Sequence, residues 1–104
     1  LWAGLPVLTC LGDTFAGRMG ASLLRAIHLP ELVTETPDEY ERLAIELATD
    51  PDRLREIRRK LAAHRLAAPL FDMQRFTRHL EAAYAGLIER HRAGLPPEHI
   101  EAQA

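Results

Sequence analysis

The chain has 104 residues, of which 47% are hydrophobic and 27% charged, with a formal net charge of −2. That balance belongs to a folded chain rather than a disordered one, long enough for one small domain or part of a larger one. It offers no basic excess to draw nucleic acid or an anionic membrane, and no apolar run approaches the length that spans a bilayer.

The chain starts directly in Leu1-Trp2-Ala3-Gly4, with no Met and no basic segment leading into an apolar one. This predicts an excised or partial piece without a signal peptide. Leu5-Pro6-Val7-Leu8-Thr9-Cys10-Leu11 is an apolar run closed by Gly12-Asp13, and predicts a strand buried on both faces, with Pro6 at its start. Cys10 is the sole cysteine, which excludes an internal disulfide. Its apolar neighbours predict a buried, inert thiol.

A helix follows, with Asp13 or Thr14 as its cap. Phe15, Met19, Leu23 and Ile27 recur every four residues as its apolar stripe. Ala16, Gly17, Gly20, Ala21 and Ser22 keep this helix thin, which predicts close contact with a sheet or another backbone. Pro30 ends it, and Glu31-Leu32-Val33-Thr34 is a second short strand. Thr36-Pro37-Asp38-Glu39 is a capping-box start, with Tyr40, Leu43, Ala44 and Leu47 as the stripe behind it. Asp50-Pro51 starts the next helix, with Leu54, Ile57 and Leu61 turned inward. After the connector Leu66 to Leu70, Asp72 caps a last helix with the stripe Phe76, Leu80, Tyr84, Leu87 and Ile88. Gly94 ends that helix. A polar tail over residues 96–104 is expected to be poorly ordered.

The fold class is therefore α/β: strand-helix-strand followed by three helices. The crossover length between the strands predicts that they are parallel. Two strands do not make a stable sheet alone. The chain reads as the trailing edge of a doubly wound, Rossmann-like domain, spanning residues 1–95.

Leu1-Trp2-Ala3-Gly4-Leu5-Pro6-Val7-Leu8-Thr9, followed by Gly12-Asp13-Thr14-Phe15-Ala16-Gly17-Arg18, resembles the O-linked N-acetylglucosamine transferase family. That family carries an "LWAG-P-V-T" strand entry and a "PG(E/D)T-ASR" loop and helix start. Leu11 stands where the family usually has Pro, and Gly17 where it usually has Ser. The similarity continues through Glu39-Tyr40-Glu41, Pro69-Leu70-Phe71, Leu80-Glu81, Tyr84 and Ala93-Gly94, in order and over nearly the whole chain. It implies the C-terminal portion of a GT-B enzyme, with two Rossmann-like domains around the donor, UDP-N-acetylglucosamine. It also implies an inverting transfer to a Ser or Thr hydroxyl of a protein or peptide acceptor, with tetratricopeptide repeats before the catalytic region. A bacterial, cytoplasmic setting with no metal or other cofactor goes with it. The family's "HTT" segment, ribose-holding carboxylate and diphosphate-side lysine lie upstream of Leu1. The chain alone is thus expected to be inactive, and either marginally stable or self-associating.

The candidate substrate-binding residues are Gly12, Asp13 and Thr14, at the turn between a parallel strand's C-terminal end and a helix start. Ligands of open α/β sheets bind at that edge, and helix N-termini favour oxygen-rich groups. Asp13 or Thr14 capping the helix is the simpler role for the same residues, and the two roles are compatible. Arg18 either pairs with Asp13, faces the cleft or stands on the surface. No catalytic residue is assigned. His28, His64, His79, His91 and His99 show no metal-ligand spacing, and the cluster Arg53–Lys60 lacks the aromatics of a nucleic-acid surface. Two other readings stand beside the transferase: a helical interaction module built from Tyr40 to Ile88, and a GT-B enzyme using another sugar nucleotide.

Overall fold

The computed structural model describes residues 1–101. Its elements are β1 (Thr9–Cys10), α1 (Phe15–Ala26), a 3-10 turn (Pro30–Leu32), β2 (Val33–Thr34), α2 (Pro37–Thr49), α3 (Pro51–His64), a second 3-10 turn (Pro69–Phe71) and α4 (Met73–Arg92). The order is the expected strand, helix, strand and three helices. The strands run parallel, with Thr9 opposite Val33 and Cys10 opposite Thr34. Residues Leu1–Phe71 form one compact unit, and the chain from Asp72 onward forms another.

In the first unit, the core is Leu24 and Ile27 at the end of α1, Leu29 and Leu32 in the turn after it, Ile57 and Leu61 of α3, and Ala68. Each large aliphatic side chain sealed there contributes about 1.5–3 kcal/mol relative to exposure. The turn after α1 brings four of these residues together. Leu29 N–H donates to the Leu24 carbonyl at 2.8 Å and His28 N–H to the Arg25 carbonyl at 3.1 Å, with His28 left-handed at φ 60. This pair of bonds is a Schellman closure, and it turns the chain back under its own helix.

The strand expected over residues 5–11 is shorter and less covered than its sequence predicts. Only Thr9 and Cys10 lie in the ladder, extended by Leu11 N–H to the Thr34 carbonyl at 2.8 Å. Leu5 is 62% and Val7 42% exposed, and Cys10 is half-buried rather than sealed. The reason is that β1 has a single neighbour, so the segment before Thr9 has no partner for its backbone. Thr34, the one buried polar side chain among the described residues, fastens the pair by donating from Oγ1 to the Thr9 carbonyl at 2.9 Å.

The α1 stripe also departs from expectation. Ile27 is sealed, but Phe15, Met19 and Leu23 are exposed, while Ala21 and Leu24 face the core. A four-residue repeat overshoots a 3.6-residue turn, so Phe15 and Ile27 stand about 120° apart around the helix. The inner face is made instead by Gly17, Gly20 and Ala21 with Leu24, while Ala16 and Ser22, also counted in the thin-helix reading, are exposed. A Cβ on Gly20 would lie 2.6 Å from Thr9 Oγ1.

Helix α2 starts with the expected capping box: Glu39 N–H donates to Thr36 Oγ1 at 3.2 Å, and Thr36 N–H to Glu39 Oε2 at 3.3 Å. Its Leu43, Ala44 and Leu47 are half-buried, whereas Tyr40 is exposed. Asp50 caps α3 through the N–H groups of Asp52 and Arg53, at 3.1 and 3.0 Å. The basic residues that follow are partly neutralised: Arg53 pairs with Glu46, Arg55 with Asp52, and Lys60 with Glu31.

In the second unit, Asp72 caps α4 as expected, accepting from Arg75 N–H at 2.9 Å. Gly94 ends it in the left-handed region at φ 68. The stripe Phe76, Leu80, Tyr84, Leu87 and Ile88 is exposed throughout, and no residue of α4 is fully buried. Arg90 Nη2 donates to the Pro96 carbonyl at 2.9 Å and to Glu98 Oε2 at 2.6 Å. Residues 102–104 of the predicted polar tail lie outside the described residues.

Candidate functional site

The loop Gly12-Asp13-Thr14 joins the C-terminal end of β1 to the N-terminus of α1. It is clamped at both ends. Gly12 N–H donates to the Gly17 carbonyl at 3.0 Å, and Gly17 N–H donates to Thr14 Oγ1 at 3.0 Å. The backbones approach so closely that a Cβ on Gly17 would stand 2.9 Å from Gly12 Cα. Glycine at position 17 therefore lets the helix fold back onto the loop.

These bonds decide between the two sequence candidates for the cap: it is Thr14. Asp13 is exposed and has no hydrogen bond or ion pair among the described residues, and Arg18 does not pair with it. Among the described residues, the carboxylate at the mouth of the helix is therefore held by no side-chain or backbone partner. It lies at the edge where the strand ends, beside the positive end of the α1 dipole.

Beside the loop runs a groove of about 520 Å³, lined by Leu11, Phe15, Arg18, Met19, Ser22 and Arg25. Sequence reasoning singled out Arg18 but not Arg25. The seven-residue spacing of these arginines, two near-whole turns, was the signal that places both on one face. A second groove of about 330 Å³ is almost wholly apolar and includes Trp2, Val7, Leu23 and Phe71. Trp2 is fixed there by an edge-on contact with Phe71 at 5.0 Å and by Arg65. The Arg65 guanidinium lies 5.5 Å from the indole centre and donates to the Trp2 carbonyl at 3.0 Å.

His28 and His64 meet edge to face at 5.5 Å, and His64 Nδ1 lies 3.2 Å from the Ile27 carbonyl. Among the described residues, no group of three or more His, Cys, Asp or Glu converges as metal ligands would. No helix among them is long and apolar enough to cross a membrane.

A short parallel β-α-β unit with a glycine-clamped loop at its C-terminal edge is an α/β arrangement. The chain belongs to the family described as Glycosyl transferase family 41, whose profile matches residues 1–80. It is 35% identical, over 96% of its length, to a UDP-N-acetylglucosamine–peptide N-acetylglucosaminyltransferase of Caenorhabditis elegans. It is 39% identical over 93% of its length to a probable enzyme of the same name, SPINDLY, of Hordeum vulgare. A third such protein, the probable enzyme SEC of Arabidopsis thaliana, is 34% identical over 97% of the chain. The chain spans only 9–10% of the length of these relatives. The resemblance seen in the strand entry and the loop is thereby borne out.

Proposed function

We propose that the polypeptide to which this chain belongs transfers N-acetylglucosamine from UDP-N-acetylglucosamine to Ser or Thr hydroxyls of proteins. On this reading the chain is the trailing part of the donor-binding domain of a GT-B enzyme, and Gly12, Asp13 and Thr14 border the donor sugar. One observation carries it: similarity to peptide N-acetylglucosaminyltransferases runs through nearly the whole chain, including the loop at the ligand edge of the sheet. The free carboxylate of Asp13 suits a sugar, whose hydroxyls donate to it. Charge-assisted bonds of this kind contribute about 1.5–3 kcal/mol each.

The reading places tetratricopeptide repeats ahead of the catalytic region and the enzyme in the cytoplasm. It gives the transfer no metal, so turnover by the full-length enzyme should be unchanged by chelator. The test is release of UDP from UDP-N-acetylglucosamine, with and without peptide acceptors, by the full-length polypeptide. Turnover that prefers another nucleotide sugar would move the enzyme to a different donor. No turnover with any nucleotide sugar would favour an interaction module, whose surface would be the exposed stripe of α4.

A further inference from the structure

We propose that the groove along α1 is an acceptor subsite that selects protein segments bearing carboxylates about two and five residues from the modified hydroxyl; this rests on the transferase reading above. The groove starts at Leu11 and Phe15, which flank the loop Gly12-Asp13-Thr14, and continues along the helix past Arg18 to Arg25. A chain lying in it has one end at the donor edge. The groove's only charged lining groups are these two arginines. Neither has an ion pair or a side-chain hydrogen bond among the described residues, a state shared with Arg42, Arg58, Arg59, Arg75, Arg78 and Arg92; what sets Arg18 and Arg25 apart is that they line one groove. Leu11, Phe15 and Met19 supply the apolar surface between them, and Phe15 is 74% exposed.

That combination sets the occupant's chemistry. Two guanidinium groups around an apolar floor match two carboxylates with an apolar side chain between. A nucleic acid would require a broad basic band, which a chain of net charge −2 does not supply. The neighbouring apolar groove at Trp2 and Phe71 has no charged lining and makes no such demand.

The spacing gives the register. Arg18 is four residues beyond Thr14 and Arg25 eleven beyond it, or about 6 and 16 Å along a helix that rises 1.5 Å per residue. A peptide in polyproline II conformation advances about 3.1 Å per residue and returns to the same side every third residue. Its residues about two and five positions from the hydroxyl then meet Arg18 and Arg25 on one side.

The experiment uses the full-length enzyme and acceptor peptides identical except at those two positions, which carry Glu, Gln or Lys, on either side of the hydroxyl. The Glu peptide on one side should exceed its Gln counterpart by about three- to tenfold in kcat/KM, as two exposed ion pairs allow. The margin should shrink as salt is raised. Arg18→Glu combined with Arg25→Glu should invert the order, so that the Lys peptide is preferred. Turnover with no dependence on peptide charge overturns the proposal. So does a preference for Glu that survives the double substitution. An equal loss for all peptides with a lowered melting temperature also overturns it, since the groove would then be covered by the enzyme's own chain. Absence of UDP release from any donor overturns the transferase reading itself, a result distinct from transfer without charge preference.

Discussion

Two glycines show how a single Cβ can stabilise one site and break another. Gly20 and Gly86 both sit inside helices, where alanine is favoured by about 0.8–1 kcal/mol. At Gly86 no atom lies within 4 Å of an added Cβ, so Gly86→Ala should raise the helicity and melting temperature of α4. At Gly20 the added atom would be 2.6 Å from Thr9 Oγ1 and 3.1 Å from Thr9 Cβ. Strand and helix must then separate, and overpacking of this kind costs about 1–3 kcal/mol. The clash outweighs the propensity, so Gly20→Ala should lower the melting temperature. Asp13 and Thr14 separate in the same manner. Thr14→Ala removes the cap of α1 and should cost about 1 kcal/mol of stability. Asp13→Asn should leave the melting temperature in place yet lower kcat/KM of the full-length enzyme about tenfold to a hundredfold, if the carboxylate holds the donor sugar. Kinetics within twofold of the parent would make Asp13 a bystander.

Among the elements, the capping box of α2 gives a pH dependence whose sign follows from its hydrogen bonds. The Glu39 carboxylate is held below the ordinary carboxylate range, chiefly by the N–H of Glu35 at 3.0 Å; desolvation opposes this, and Thr36 N–H and the charge of Arg42 add to the lowering. A carboxyl whose pKa is lower folded than unfolded contributes stability above its unfolded pKa. That contribution is lost as pH falls through the folded value. The start of α2 should therefore fray in acid, below the usual carboxylate range, and Glu39→Gln should remove that step from amide exchange measured at Tyr40 and Glu41. This start was legible in Thr36-Pro37-Asp38-Glu39 because caps are made by neighbours in sequence. The same holds for Asp50, Asp72 and Gly94, and for the loop at residues 12–14. The extent of β1 and the facing of α1 were not legible, because they depend on partners far along the chain. Leu5 and Val7 carry a strand's composition but have no neighbouring strand, and the four-residue repeat in α1 drifts off the face that its glycines turn toward β1. Arg25 joins Arg18 on the groove face through the helix's rotation, which their seven-residue spacing marks even though no capping or turn motif does.

At the scale of the whole molecule, the exposed apolar surface outlines what the chain lacks. Trp2, Leu5, Val7 and Leu23 are each at least 40% exposed in the first unit, outside the groove along α1, and α4 shows a full stripe in the second. Beyond its pairing with β2, β1 has no strand partner among the described residues, and a two-stranded sheet is marginal in water. The relatives, about ten times longer, have ample chain to cover such surfaces. The 104 residues alone should release no UDP from UDP-N-acetylglucosamine. They should also self-associate, since burying apolar area contributes about 25 cal/mol per Å² and no tertiary partner competes for it. Sedimentation velocity should show the average mass rising with protein concentration, and the melting temperature should rise with it, as mass action requires. Two variants separate the sources. Val7→Lys puts a charge on the open edge beside β1, and Phe76→Glu with Leu80→Glu breaks the stripe of α4. If the edge drives association, the first variant returns the chain toward monomer while the second does not; if α4 drives it, the order reverses. A monomer with one cooperative, concentration-independent transition would mean that these surfaces are content in water.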